Sequence, residues 1–272
     1  MSNQSSYKIT DINSDVEHEF QRLRIQAQIT WEKEALTLSR LGLQDGMSVI
    51  ELGSGPGFTT EQLLSLWPNS CVTAVEVDPI MIKQANQYLQ DVSDDRVKII
   101  EASIMNTGLP DNSFDFAYAR RIFVHLPEPV EAAKEIFRVL KPGGKIVIVD
   151  FDKNSCILEP PMPELQLLAE KMNQIQESRG ANGRIMGQLL PILKEVGFRN
   201  VDLDAIVSHN EMHRTEDFFK VLAPETLAYI ITKAGFQIDK QVEDYKRAIE
   251  KFMALPSACI LFVMFMGYGE KP

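Results

Sequence analysis

Apolar and polar positions follow two rhythms along this chain, and the change from one to the other predicts its elements. Over 16–41, apolar residues return at helical spacing (Phe20, Leu23, Ala27, Trp31, Ala35, Leu38) until Gly42 and Asp45-Gly46 stop the run. The stretches 47–52, 71–77, 96–101, 113–119 and 145–151 are short and almost continuously apolar, as strands buried on both faces require. Helical patterns at 59–67, 79–90 and 127–140 lie between them. Asp78 supplies an N-cap and Pro79 the first helical position of the second, and Lys-Pro-Gly-Gly at 141–144 closes the third. Strand and helix in repeated alternation predict a parallel sheet covered on both faces.

The alternation breaks after residue 151. A proline-rich stretch leads into a helix at 164–177, and the strand–helix pattern resumes with a helix at 185–196 and a strand at 198–207. A second helical insertion spans 215–253, and the last strand is 258–269. Both insertions follow strand ends, where open α/β sheets take their ligands, so they read as a lid over an acceptor pocket. Met162, Leu165, Leu168, Met172, Phe218, Phe219, Leu222, Leu227 and Tyr229 recur there at helical spacings, which suits helix packing and an apolar ligand of moderate size. The expected organisation is a helical cap (1–44), a cofactor-binding core (45–151), a lid insertion (152–182), a core continuation (183–207), a second helical lid (208–256) and a final core strand (257–272). The first 14 residues, with little periodicity, are expected to be mobile or ordered by a ligand.

Composition narrows the picture without changing it. A chain of 272 residues can bury one large α/β domain with a lid, and 44% hydrophobic with 24% charged residues is ordinary for a soluble globular protein. A net charge of −10 is a poor balance for gripping a phosphate backbone, so no nucleic-acid partner is expected. Cys71, Cys156 and Cys259 lie far apart and suggest neither a zinc site nor a disulfide framework. Asp150, Asp152 and Asn154 do not form a spaced ligand set, and no metal is expected. The longest apolar run, 258–266, is far short of the roughly 20 residues a membrane span needs, so no stable membrane insertion is expected. The polar first residues lack the basic and apolar regions of a signal peptide, which favours a cytoplasmic protein.

Chemistry concentrates at 49–64, VIELGSGPGFTTEQLL, which reads as a buried strand, a glycine-rich turn and the start of a helix. The spacing Gly53-x-Gly55-x-Gly57 lets the backbone turn sharply and approach a ligand closely. Glu51 precedes the turn, and Glu76 ends the next strand, where a carboxylate can accept both ribose hydroxyl protons. The glycines do not follow the G-x-G-x-x-G spacing of nicotinamide dehydrogenases. Nor does a Walker lysine accompany them, which speaks against a nucleotide triphosphatase.

ELGSGPG, VEVDP, LPDNSFDFAYAR and RVLKPGGKIVIVDF occur in that order and resemble the successive motifs of class I S-adenosylmethionine-dependent methyltransferases. The likeness is closest to the small-molecule branch that includes the quinone-biosynthesis enzymes. It covers 45–151 strongly and 182–207 more loosely. The resemblance implies a Rossmann-like methyltransferase fold: a seven-stranded, mostly parallel sheet with an antiparallel last strand and helical lid insertions. It implies S-adenosylmethionine as cofactor, with Gly53, Ser54, Gly55 and Gly57 at the turn and Gly53 to Gly55 beneath the methionine moiety. Glu51 would receive the ammonium, Glu76 the ribose, and Val77 would pack on the adenine. Ser103 and Ile104 stand where the family places its adenine-edge contacts, with Ser103 in place of the usual carboxylate. The backbone carbonyl at Arg120, after strand four, would meet the cofactor amine, and Arg22 with Gln26, four apart on one helix face, would cross the cofactor entrance.

Transfer of a methyl group from a sulfonium is an in-line displacement that mainly requires alignment and exclusion of water. His125, after the fourth strand, is the candidate catalytic residue. His209 and His213 could line the acceptor pocket, and Arg121, Asp152 and Tyr118 lie near the same strand ends. The expected reaction is O-, N- or C-methylation of a small, mainly apolar acceptor, and a homodimer is compatible with it. Two other readings fit the same residues: an S-adenosylmethionine-binding regulatory or assembly protein without transferase activity, and a protein side-chain methyltransferase.

Overall fold

The computed structural model describes residue 9, residues 16–152 and residues 155–272. The expectation for the first 14 residues thus lies, Ile9 apart, outside the described residues, as does Asn154. The single helical pattern of 16–41 divides at Thr30 into α1 (Val16–Ile29) and α2 (Trp31–Leu41). Gly42, at φ +111°, ends α2, and Leu43 N–H closes back on the Leu38 carbonyl.

The alternating core follows as β1 (Ser48–Leu52), α3 (Phe58–Leu66), β2 (Cys71–Glu76), α4 (Pro79–Tyr88), β3 (Val97–Glu101), β4 (Phe114–Arg120), α5 (Pro129–Val139) and β5 (Leu140–Asp150). A short 3-10 turn, Phe123–His125, separates β4 from α5. After it come β6 (Cys156–Glu159), α6 (Pro163–Ser178), α7 (Ile185–Val196) and β7 (Arg199–His209). The chain closes with α8 (Thr215–Leu222), α9 (Pro224–Lys233), α10 (Asp239–Met253) and β8 (Cys259–Glu270). The second insertion is therefore three helices, with Gly235 at φ +91° between α9 and α10.

The five strands β3-β2-β1-β4-β5 run parallel, and β8 runs antiparallel to β5, β6 and β7. The antiparallel last strand is as expected, but among the described residues the sheet has eight strands and not seven. The additional strand is β6, inside the stretch expected to be a lid. β8 is 12 residues long, and β5 pairs only with its second half, from Phe265 to Glu270. Its first half would leave backbone groups unpaired on that edge, and β6 satisfies them from Cys259 to Phe262.

Side-chain alternation explains the apolar runs. Val49, Val72, Phe116, Tyr118, Val147 and Val149 face α2, α3 and the lid helices, whereas Ile50, Leu52, Ala117, Ala119, Ile146 and Ile148 face α5 and α7. On the cofactor edge, Phe20 and Ala27 of α1 pack with Ile9, Phe58 and Met81. This contact brings the N-terminal helix over the starts of α3 and α4. Among the described residues, no helix is long and apolar enough to cross a membrane.

Candidate functional site

The C-terminal ends of β1, β2, β4 and β5 open into one cavity of about 740 Å³, walled also by α1, α6, α8 and α9. The glycine turn forms its floor on the β1 side. Gly53 and Ser54 N–H both donate to the Val75 carbonyl of β2, at 2.8 and 3.1 Å, which pins the turn against the neighbouring strand. Gly55 has φ +56°, and a Cβ built there would meet nothing within 4 Å because it would stand in the cavity. Gly57 is a glycine for another reason: at φ +86°, its Cβ would press on Leu89 at 3.0 Å. It begins α3 and does not line the cavity.

Glu76 is held by the backbone around it. Its carboxylate accepts from Gly55 N–H at 2.8 Å, Val77 N–H at 2.7 Å and Asp78 N–H at 2.9 Å. Three backbone donors fix the side chain, and each oxygen keeps acceptor capacity toward the cavity. Val77 beside it is 49% exposed, a flat apolar surface at the same wall.

Glu51 is almost fully buried and accepts from Thr60 Oγ1 at 2.6 Å. Burial lifts its carboxyl to about 8, with the Thr60 hydrogen bond and Arg120 opposing the shift. A cation placed beside it would restore its charge. The Ser54 hydroxyl is buried without a hydrogen-bond partner among the described residues. The Glu76 carboxylate, the buried Glu51 acid, the Ser54 hydroxyl and the turn open at Gly55 are groups that could hold an aminoacyl nucleoside.

Arg120 lines the cavity, but its guanidinium is tied down. Its Nε donates to both Glu34 oxygens at 3.1 and 3.2 Å, and its Nη2 to the Gln26 carbonyl and Thr30 Oγ1. The Tyr118 hydroxyl donates to the same Glu34 carboxylate, as does Thr30 Oγ1 at 2.9 Å. Arg120 and Tyr118 thus join the end of β4 to α2. Sequence reasoning missed this network because Glu34 stands in an amphipathic helix and its partners lie more than 80 residues away.

Arg22 and Gln26 do reach the cavity together. Arg22 pairs with Glu19 of its own helix at 2.6 Å. With the Gln26 amide oriented to satisfy its neighbours, its oxygen accepts from Arg22 Nη1 at 2.9 Å and Arg121 Nη1 at 2.8 Å. Burial, and then the adjacent Arg120, draw the Arg121 guanidinium down to about 9.

His125 lies on the cavity wall at the end of the 3-10 turn. Burial draws its imidazole down to about 4, with Arg121 and Arg22 adding to the effect, so it is neutral at physiological pH. Asp152 lines the same cavity, and Asp150 behind it is buried, accepting from Val124 and Phe151 N–H at 3.0 Å each.

Several expected residues lie elsewhere. Ser103 and Ile104 are outside the cavity lining: Ser103 Oγ accepts from Met105 N–H at 3.2 Å, and Ile104 packs in the core beneath the sheet. His209 ends β7, and His213 packs edge-on against Phe218; neither lines the cavity. Of the lid residues, Met162, Leu165, Met172, Leu222 and Leu227 form cavity wall. Leu168, Phe219 and Tyr229 belong to the packing behind it.

A family model described as a methyltransferase domain matches residues 50–148. The sequence is 28% identical over 254 residues to sterol methyltransferase-like 3 of Botryococcus braunii, covering 89% of this chain and 60% of that protein. Among solved structures, it is similar to Haemonchus contortus phosphoethanolamine N-methyltransferase 2, in complex with phosphomonomethylethanolamine and S-adenosylhomocysteine. That match has a TM-score of 0.59 and 19% identity, and covers 89% of this chain and 53% of the other. It also resembles the [4+2]-cyclase SpnF, with a TM-score of 0.58, 21% identity, and coverage of 88% and 80%. The chain spans between 28% and 60% of the length of several curated relatives it matches. At these identities, the solved structures establish the fold.

Proposed function

We propose that this chain, whose residues 50–148 are a methyltransferase domain, is an S-adenosylmethionine-dependent methyltransferase acting on a small, mainly apolar organic acceptor. The observation that carries this reading is the continuity of one cavity from the Glu51–Gly55–Glu76 cradle to the apolar lid wall of Met162, Leu165, Leu222 and Leu227. When bound, S-adenosylmethionine supplies a methyl group already activated by the sulfonium charge. The chain supplies the geometry. Glu76 orients two ribose hydroxyls, Glu51 compensates the ammonium, and Gly55 admits the ligand against the backbone. Arg22 and Gln26 face the same entrance.

At the far end, lid side chains exclude water and hold the acceptor in line. His125 is neutral there and can give or take a hydrogen bond at the acceptor. With its pKa drawn to about 4, it is poorly matched to proton abstraction at neutral pH, which favours a positioning role over general base catalysis. A similar fold also serves a [4+2]-cyclase, so the fold alone does not fix the reaction. Labelled-methyl transfer from S-adenosylmethionine into pooled small hydrophobic acids, phenols, quinols and amines tests the reading. A labelled product extractable into organic solvent is expected. Tight cofactor binding with no labelled product from any pool, nor in the protein fraction, would instead assign the cavity to a reaction without transfer.

A further inference from the structure

The acceptor end of the cavity contains one feature that an apolar ligand alone does not explain. Glu19 is paired with Arg22 and Glu34 with Arg120, whereas Arg121 has only the Gln26 amide oxygen and the Met264 sulfur, at 3.5 Å, as hydrogen-bond acceptors for its guanidinium among the described residues. Its Nε is buried and has no hydrogen-bond partner there. Asp150 stands close enough to be felt electrostatically, but its two oxygens are engaged by the Val124 and Phe151 backbone. The rings of Phe151 and Phe262 each lie 5.2 Å from the guanidinium carbon and shield it from water.

The backbone is also held in an uncommon state. Arg121 has φ +55°, a left-handed conformation that a residue with a long side chain rarely adopts, and its N–H is fixed on the Val149 carbonyl at 2.7 Å. The result is a desolvated cation on the cavity lining, without an ion-pair partner among the described residues. Leaving such a group unsatisfied is costly, and a planar fork is the side chain best matched to an oxygen anion. Arg121 also sits beside β5 and β8, through Phe151 and Phe262, and not beside β2 where Glu76 holds its place. Its position is on the acceptor side of the cradle.

We infer that Arg121 is an anion subsite for the acceptor: the molecule taken up under the lid is an apolar body carrying one ionised oxygen group, a carboxylate or an acidic phenol or enol, which docks on this guanidinium. This inference rests on the methyltransferase reading for the identity of the neighbouring ligand. It concerns binding, however, and can be read without turnover.

The test is calorimetric titration of three naphthalene probes into the full chain saturated with S-adenosylhomocysteine, so that the cofactor's own carboxylate is already in place. The probes are 1-naphthoate, 2,4-dinitro-1-naphthol as its phenolate, and the uncharged 1-naphthalenemethanol. One or both anions should bind roughly tenfold or more tightly than the neutral probe, and which one does so separates the carboxylate from the phenolate. Arg121→Gln should abolish that preference while leaving the neutral probe unaffected, and Arg121→Lys should keep part of it. Equal binding of charged and neutral probes to the wild-type chain would overturn the inference, with or without a folded variant. So would an anion preference that survives in Arg121→Gln, or loss of S-adenosylhomocysteine affinity in that variant with the preference intact. If S-adenosylhomocysteine fails to bind the wild-type chain, the methyltransferase reading fails; if it binds and no preference follows, only the role of Arg121 fails.

Discussion

The two halves of the cavity are built on different principles. On the β1–β2 side, the cavity is bounded by backbone: a turn pinned by two N–H groups on Val75, a carboxylate held by three more, and a glycine whose missing side chain is the space itself. On the lid side, it is bounded by side chains from α6, α8, α9 and β6, which are distant in sequence. A backbone site fixes which cofactor fits and tolerates little change. A side-chain site can be repacked without disturbing the sheet, so relatives can share the donor half and differ in the acceptor half.

The largest effect expected from breaking this division lies at the joint between cap and sheet. Glu34→Ala leaves Arg120 buried and uncompensated and also takes the acceptor from Tyr118 and Thr30. Loss of one partner of a buried pair costs about 3–5 kcal/mol. Urea denaturation should show a loss of that order, and a change within about 0.5 kcal/mol would mean the network carries no structural weight.

A smaller effect should sharpen the donor half. The Glu51 carboxyl is raised to about 8 in the folded protein, so it is mostly protonated at pH 6 and ionises as the pH rises through 8. A ligand ammonium favours the ionised form, and binding must therefore release a proton below pH 8. Affinity for S-adenosylhomocysteine should rise with pH, by up to about tenfold per unit, and level off above 8. Glu51→Gln should bind more weakly at high pH and show no such slope. The sign for folding is the reverse: the raised carboxyl contributes its stability below its unfolded value, near 4.5, and loses it as the pH rises toward 8.

The smallest effect is expected from the lid. Leu227→Ala removes part of the acceptor wall from a partly buried position. It should cost about 1–2 kcal/mol in stability, below the range for a fully buried leucine, and leave S-adenosylhomocysteine affinity within about twofold. A large loss of cofactor affinity would mean the two halves are not separable.

The same division explains what could be read from the sequence. That Glu51, Gly55 and Glu76 would share one cavity was legible because the turn, the preceding strand and the following strand end are contiguous and their spacing is itself the geometry. The parallel core was legible because strands buried on both faces lose the alternation of half-exposed ones. The four residues of β6 were not legible, since they become a strand only because β8 outruns β5. Nor was the break at Thr30 foreseen, because the hydrophobic period continues across it while a buried ion pair with β4 sets the local geometry. Arg121 could be seen as one of two adjacent arginines after a strand. That its neighbour would be neutralised while it remained without a carboxylate partner among the described residues depended on helices far away in sequence. The adenine-edge contacts expected at Ser103 and Ile104 lie outside the cavity lining, where the local turn and the core claim both side chains.

The most direct test of the backbone cradle is titration of S-adenosylhomocysteine into wild-type protein and Gly55→Val, with the stability of each measured in parallel. At φ +56° the valine costs about 1–2 kcal/mol of strain, but its Cβ meets no atom within 4 Å, so the variant should remain folded. Its side chain fills the cradle, and affinity should fall by roughly a hundredfold or more, well beyond what that strain explains. A folded Gly55→Val that binds S-adenosylhomocysteine as tightly as the wild type would contradict the account at its centre.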